Sequence, residues 1–202
     1  EPFLLPSLSM STEQSSHKES SGGLRDVSDV AIVGGGPAGL SASIWLARYL
    51  HSVVLVDSGD PRNWETRGVN GFLGLPSVRP AELRGRGRDE ARDAGATLLD
   101  GICDTVRRDK DGIFELALAG GETLRARRLL LAIGLKDVWP DIPGLEHVYG
   151  ANAHVCPDCD GRECVGRKVV VVGSGRKAVG LALDLSTGTR DIIICTNGVP
   201  AG

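Results

Sequence analysis

The six residues Gly34 to Gly39, reading Gly-Gly-Gly-Pro-Ala-Gly, limit the fold of this chain more than any other stretch. They follow the apolar run Val30–Val33 and precede Leu40, Ile44, Ala47 and Tyr49, which are spaced as one face of a helix ending near Leu50. A second apolar run, Ser52–Val56, is closed by Asp57. Strand, glycine turn, helix and strand in that order form a crossover unit whose helix must pack on a parallel sheet. In this setting Gly34 permits the tight turn, Gly36 lets backbone amides approach a pyrophosphate, and Gly39 lets helix and strand pack closely. The helix N-terminus adds partial positive charge where phosphates would lie. Asp57 follows at roughly the spacing at which a carboxylate accepts hydrogen bonds from ribose hydroxyls. A glycine turn without a ligand would need neither that acid nor those flanks, so a dinucleotide-binding α/β unit is expected.

Downstream, Ser58 to Arg79 reads as a polar loop, and Pro80 opens a helix to about Ala94, since proline is tolerated in a first turn. Thr97 to Leu124 alternates apolar and polar residues, punctuated by Gly112 and Gly120-Gly121, which predicts a small antiparallel meander, and Arg128 to Ile133 reads as a strand returning to the main sheet. Lys136 to Gly150 is rich in Pro and Gly, as inter-domain crossings are. A second strand, turn and helix signal begins at Lys168: Val169–Val172, then Gly173, Gly175 and Ala178, then an apolar run to Leu185, with Asp191–Cys195 as the next strand. The expected organisation is a disordered tail at 1–26, a dinucleotide-binding domain at 27–138, and the start of a second one at 139–202. Hydrophobic residues at 41%, charged residues at 24% and a net charge of −3 describe an ordinary globular chain. There is no basic excess for nucleic acid and no apolar run long enough to span a membrane. Five cysteines, an odd number with one close pair, suit a reducing compartment, so the cytoplasm is expected.

That close pair is Cys156-Pro-Asp-Cys159, followed at once by Asp160. Cysteines three positions apart can close a reversible disulfide, often with one thiol of lowered pKa, and a neighbouring carboxyl can exchange protons with a sulfur. His154, Cys156, Cys159 and Cys164 also have the ligand types of a zinc site, but no second knuckle accompanies them, and no metal is expected. His154 alone reads as a packing or hydrogen-bonding residue, and Cys103, Cys164 and Cys195 as small buried apolar residues. At the second fingerprint, Arg176 and Lys177 inside the turn could touch a phosphate or be solvated surface charges. The strand to Cys195 ends in Thr196-Asn197-Gly198, with neither an acid for a free 2′-hydroxyl nor an arginine cluster for a 2′-phosphate. A lobe that binds no nicotinamide remains an alternative there.

From about Asp29 to Gly198 the order of these motifs resembles the thioredoxin reductase-like flavoproteins, the class II pyridine nucleotide-disulfide oxidoreductases. The residues that carry the resemblance are Gly34 to Gly39, Leu131-Ala-Ile-Gly134, Cys156 to Gly161, and Gly173-Ser-Gly175. The resemblance implies two Rossmann-like three-layer α/β lobes, the second incomplete, that rotate to alternate flavin access between nicotinamide and disulfide. It implies FAD held by Gly34, Gly36, Pro37, Ala38, Gly39, Asp57, Arg62, Asn63, Asn70 and Gly134. It also implies NAD(P)H at Gly173, Gly175, Arg176 and Lys177, with NADP versus NAD undecided. By the same analogy the Cys156–Cys159 disulfide takes two electrons from reduced flavin, Cys159 lies nearer the flavin, Cys156 meets the substrate, and Asp160 is the acid/base. The implied partner is a disulfide protein such as thioredoxin, or a small-molecule disulfide or dithiol, and the full-length protein would be a homodimer. Related dithiol oxidases run the same parts toward oxygen, and a non-catalytic fragment is a third reading. The family's second lobe continues past this chain's end and returns with a flavin-holding Gly-Asp motif, so the chain alone is expected to lack bound flavin absorbance.

Overall fold

The computed structural model describes residues 27–63 and 66–198; the tail at 1–26 lies outside the described residues. The first lobe is organised on four parallel strands. β1 (Ser28–Val33) and β2 (Val53–Asp57) flank α1 (Pro37–Arg48), and α2 (Pro80–Asp93) leads into β3 (Thr97–Asp100). β4 (Cys103–Arg108), β5 (Phe114–Leu118) and β6 (Thr123–Leu131) complete a six-stranded sheet in the order β3-β2-β1-β6-β5-β4. β3 pairs in parallel with β2, so Thr97–Asp100 belongs to the dinucleotide sheet and not to the antiparallel meander that its alternation suggested. The meander is β4, β5 and the first half of β6. β6 is a single long strand: Thr123 to Ala126 pair antiparallel with β5, and Ala126 to Leu131 pair in parallel with β1. The return strand therefore begins inside the meander.

Strand alternation sorts the side chains into two cores. Val30 and Ile32 of β1, with Val53 and Leu55 of β2, meet Leu40 and Ala47 of α1 and Ala91 of α2. On the opposite face, Ala31, Val54 and Val56 meet Leu116, Leu118, Leu124 and Ala126. Helices, parallel sheet and meander thus stack as three layers. Ile32, Leu55 and Leu116 are fully buried, each side chain contributing about 1.5–3 kcal/mol over leaving it exposed. Proline is the first residue of both α1 and α2, where its missing N–H has no helical partner to lose. α1 ends at Arg48, one residue before Tyr49, which the spacing placed on the buried face but which lies outside the last turn and is exposed. At the other end of β1, Asp29 accepts hydrogen bonds from Ser52 N and Oγ, both at 2.9 Å, and meets Arg127 at 3.1 Å.

The second lobe follows α3 (Leu145–Val148), α4 (Pro157–Asp160) and a 3₁₀ turn at Gly161–Cys164. β7 (Val169–Val172) pairs in parallel with β8 (Ile192–Cys195), joined by α5 (Gly175–Leu185). Ala178 is the buried residue of that helix. Among the described residues no helix is long and apolar enough to cross a membrane.

Candidate functional site

The glycine turn is shaped by what glycine lacks. Gly34 has φ +111°, a conformation that L side chains rarely adopt, and its N–H donates to Val56 O at 2.8 Å. A Cβ on Gly39 would collide with the Gly34 carbonyl, and one on Gly35 with the Asp57 carboxylate. Gly36 differs: a Cβ there would meet nothing within 4 Å, because its face opens to solvent at the N-terminus of α1. That open face looks into a cavity of about 520 Å³.

Gly34, Gly36, Pro37, Asp57, Arg62, Asn63, Asn70 and Gly134 all line this cavity, and so do Cys156, Cys159 and Asp160. Residues far apart in the sequence are therefore brought to one chamber. Ala38, exposed, and Gly39, buried, lie in the first turn of α1 and are not among the residues lining it. Gly173, Gly175, Arg176 and Lys177 are not among the residues lining it. Arg176 and Lys177 are exposed in the first turn of α5 rather than in the loop before it.

Several side chains in the chamber already have partners. The Asp57 carboxylate is bound by Arg84 and, at 3.0 Å, by Arg88, which also holds Asp100 at 2.7 Å. Burial alone would raise the Asp57 carboxyl, but hydrogen bonds from Arg84, Gly59 and Gly35 and the charge of Arg84 hold it below its ordinary value. Arg62 makes a two-pronged pair with Asp137 at 2.7 and 2.8 Å, which lowers the Asp137 carboxyl. Asn70 accepts from Ser77 Oγ at 3.2 Å and donates to the Cys159 carbonyl at 3.0 Å, tying the loop below the first fingerprint to the cysteine helix.

Cys156 and Cys159 are joined in a disulfide that spans α4, with Cα atoms 5.3 Å apart. Cys156 caps that helix, its sulfur accepting from Cys159 N at 3.2 Å. The other cysteines are less enclosed than their apolar character suggested: Cys103 and Cys164 are half-buried and Cys195 is exposed, at the end of a strand in which only Ile192 is partly covered. Burial and Asp104 push the Cys103 thiol upward. Among the described residues no group of three or more His, Cys, Asp and Glu is placed to hold a metal ion. Sequence reasoning missed Arg84 and Arg88. They stand one helical turn apart on α2, a spacing that puts both on one face, but nothing local names the carboxylate they meet. It also missed the tie between His154 and Asp160, which lie 3.4 Å apart.

Residues 28–196 match the family model described as pyridine nucleotide-disulphide oxidoreductase, and the chain belongs to that family. It is 36% identical over 153 residues to "Thioredoxin reductase tcpT" of Claviceps purpurea (strain 20.1), covering 74% of this chain and 48% of that protein. Among solved structures it superposes with TM-score 0.83 on a putative thioredoxin reductase TrxB from Bacillus anthracis at 27% identity, covering 86% of this chain and 59% of that one. It superposes equally, with TM-score 0.83, on HlmI at 36% identity, covering 87% and 56%. The chain spans about half the length of the curated relatives it matches.

Proposed function

We propose that this chain carries the flavin-facing half of a disulfide oxidoreductase, in which electrons from NAD(P)H reach a partner disulfide through FAD and the Cys156–Cys159 pair. The observation that carries the reading is the shared chamber: the phosphate-type glycine turn and the disulfide line one cavity. The turn fits a dinucleotide, because Gly34, Gly35 and Gly39 leave no room for side chains inward while Gly36 leaves room outward for a phosphate. Amides of the first turn of α1, which lack helical partners, would hold that phosphate. Asp57, kept ionised by its arginines, would accept from a ribose hydroxyl. Asn63 and Gly134 line the wall beside the pair, and Asn70 fixes the Cys159 carbonyl. A bound flavin would supply the two electrons that open the disulfide. Asp160 would then hold the proton exchanged with a cysteine sulfur, and Cys156 would meet the substrate.

The rest of the reading rests on likeness. The substrate is a disulfide protein such as thioredoxin or a small disulfide, the setting is cytoplasmic, and the whole protein is a homodimer. Gly173, Gly175, Arg176 and Lys177 serve the nicotinamide, and the lobes divide near 138. Steady-state NAD(P)H oxidation with a disulfide acceptor tests the proposal, with C159S as the control that abolishes it. Peroxide release from a dithiol without acceptor turnover would instead assign a dithiol oxidase, and activity that survives in C159S would overturn both.

A further inference from the structure

The reading above leaves open where a substrate sits when it meets Cys156. A second cavity, of about 410 Å³, shares part of its wall with the dinucleotide chamber. Cys156 lines both spaces, whereas Cys159 lines the chamber and not the second cavity. The two halves of one disulfide thus have unequal access. Trp139 and Tyr149, with ring centroids 4.1 Å apart and planes tilted by 54°, line the second cavity together with Val155, Val172, Leu181 and Leu185. Among the described residues no Lys or Arg lines it, and its carboxylates are Asp160 and Asp137, the latter paired with Arg62. An anion would find no lysine or arginine there, and burying an unpaired charge is costly. Size selects as well: pockets of roughly 300–1,000 Å³ hold small molecules, whereas a docked protein covers about 800 Å² of surface per partner. We propose that this cavity binds a small, uncharged disulfide with an apolar or aromatic body and presents its sulfurs to Cys156. The proposal deepens the function given above and rests on the reading that Cys156 and Cys159 cycle between disulfide and dithiol.

The chemistry starts from the reduced pair. Cys156, as thiolate, attacks one sulfur of the bound disulfide; the ligand's S–S bond breaks, a mixed disulfide forms on Cys156, and the first product thiolate leaves. Cys159 then attacks the Cys156 sulfur, closing the protein disulfide and releasing the second product thiolate. The two protons given up by the cysteines end, through solvent, on the two product thiols. The protein pair is oxidised by two electrons and the ligand is reduced by two. The unequal access suits this order, because the cysteine that meets the ligand is the one that lines the ligand's cavity.

The test is single-turnover reoxidation of the chain at neutral pH, after reduction by dithiothreitol and its removal. Acid quench, alkylation and mass mapping follow Cys156 and Cys159 separately from the three free cysteines. The probes are dithiodipyridine, which is aromatic and uncharged, dithiobis(nitrobenzoate), which is aromatic and anionic, and oxidised thioredoxin. Each rate is divided by that of the same disulfide with free dithiothreitol, which removes intrinsic reactivity. The rate with dithiodipyridine should saturate, and its normalised value should exceed that of the anionic probe by about tenfold. W139A should slow dithiodipyridine by about fivefold, as loss of an aromatic contact implies, and leave the anionic probe unchanged. V172K, at an exposed position of the wall, should narrow the gap by supplying the missing cation. Excess ADP should leave the saturation in place; competition would put the probe in the dinucleotide chamber and overturn the proposal. Equal normalised rates for the two small probes, with W139A and V172K like wild type, would also overturn it. So would oxidised thioredoxin outrunning both. A reduced pair that none of the three disulfides reoxidises would instead overturn the redox reading beneath.

Discussion

Replacing Arg88 by methionine keeps an unbranched stem under α2 and removes the guanidinium that joins Asp57 to Asp100. Arg88 and Asp57 are both buried, whereas the Asp100 side chain is 76% exposed. Removing one partner of a fully buried pair costs about 3–5 kcal/mol, most of it from the charge left behind. Here that charge is only partly abandoned, because Arg84 still binds Asp57 and Asp100 returns to water. R88M should therefore lose about 2–3 kcal/mol, below the full range of a broken buried pair. For a domain of this size that corresponds to a fall in melting temperature of roughly 4–12 °C. The loss should also depend on pH. Asp57 has a depressed carboxyl in the fold, so its stabilisation is present above the ordinary carboxylate value and disappears as pH falls through the lower, folded one. Urea unfolding of wild type, R88M, D57N and the double variant at neutral pH and near pH 3 measures both terms. A loss under about 0.5 kcal/mol, the scatter of ordinary surface changes, would refute the account of this cluster. So would a loss that stays the same in the D57N background.

Further outcomes separate binding from stability. G36A should melt with wild type, since its new Cβ meets open space, yet weaken FAD binding in a fluorescence-quenching titration by crowding the phosphate. G39A should lower the melting temperature instead, because its Cβ strikes the Gly34 carbonyl. N70A removes the hydrogen bond to the Cys159 carbonyl, and amide hydrogen exchange around 156–160 should speed up about fivefold, matching about 1 kcal/mol. L55A empties a fully buried position of β2, in the core shared with α1 and α2, and should cost about 2–5 kcal/mol in equilibrium unfolding.

Local rules made the first lobe readable wherever strand alternation, helix spacing and glycine conformation agreed. Gly34 and Gly39 are glycines for the reasons that the motif assigns, a left-handed φ and a backbone contact. Thr97–Asp100 was misassigned because its alternation fits a meander strand as well as a parallel edge strand, and only the register against β2 separates them. Tyr49 failed for a local reason, since helix spacing alone cannot say where the last turn ends. The site was legible in residue types but not in pairings. The spacing singles out Asp57 as an expected ribose acceptor, but only the folded α2 shows that two arginines hold it. The tie between His154 and Asp160 depends on how the chain bends into α4, which no periodicity encodes.

The central claim is that one chamber joins a dinucleotide to the Cys156–Cys159 disulfide. The most direct measurement is anaerobic reduction of the chain by photoreduced FAD at increasing flavin concentration, followed by alkylation and mass mapping of the two cysteines. The account predicts labelling of both, at a rate that saturates with flavin and loses that saturation in G36A. A rate that rises linearly with flavin and is identical in G36A, or a disulfide that stays closed, would contradict it.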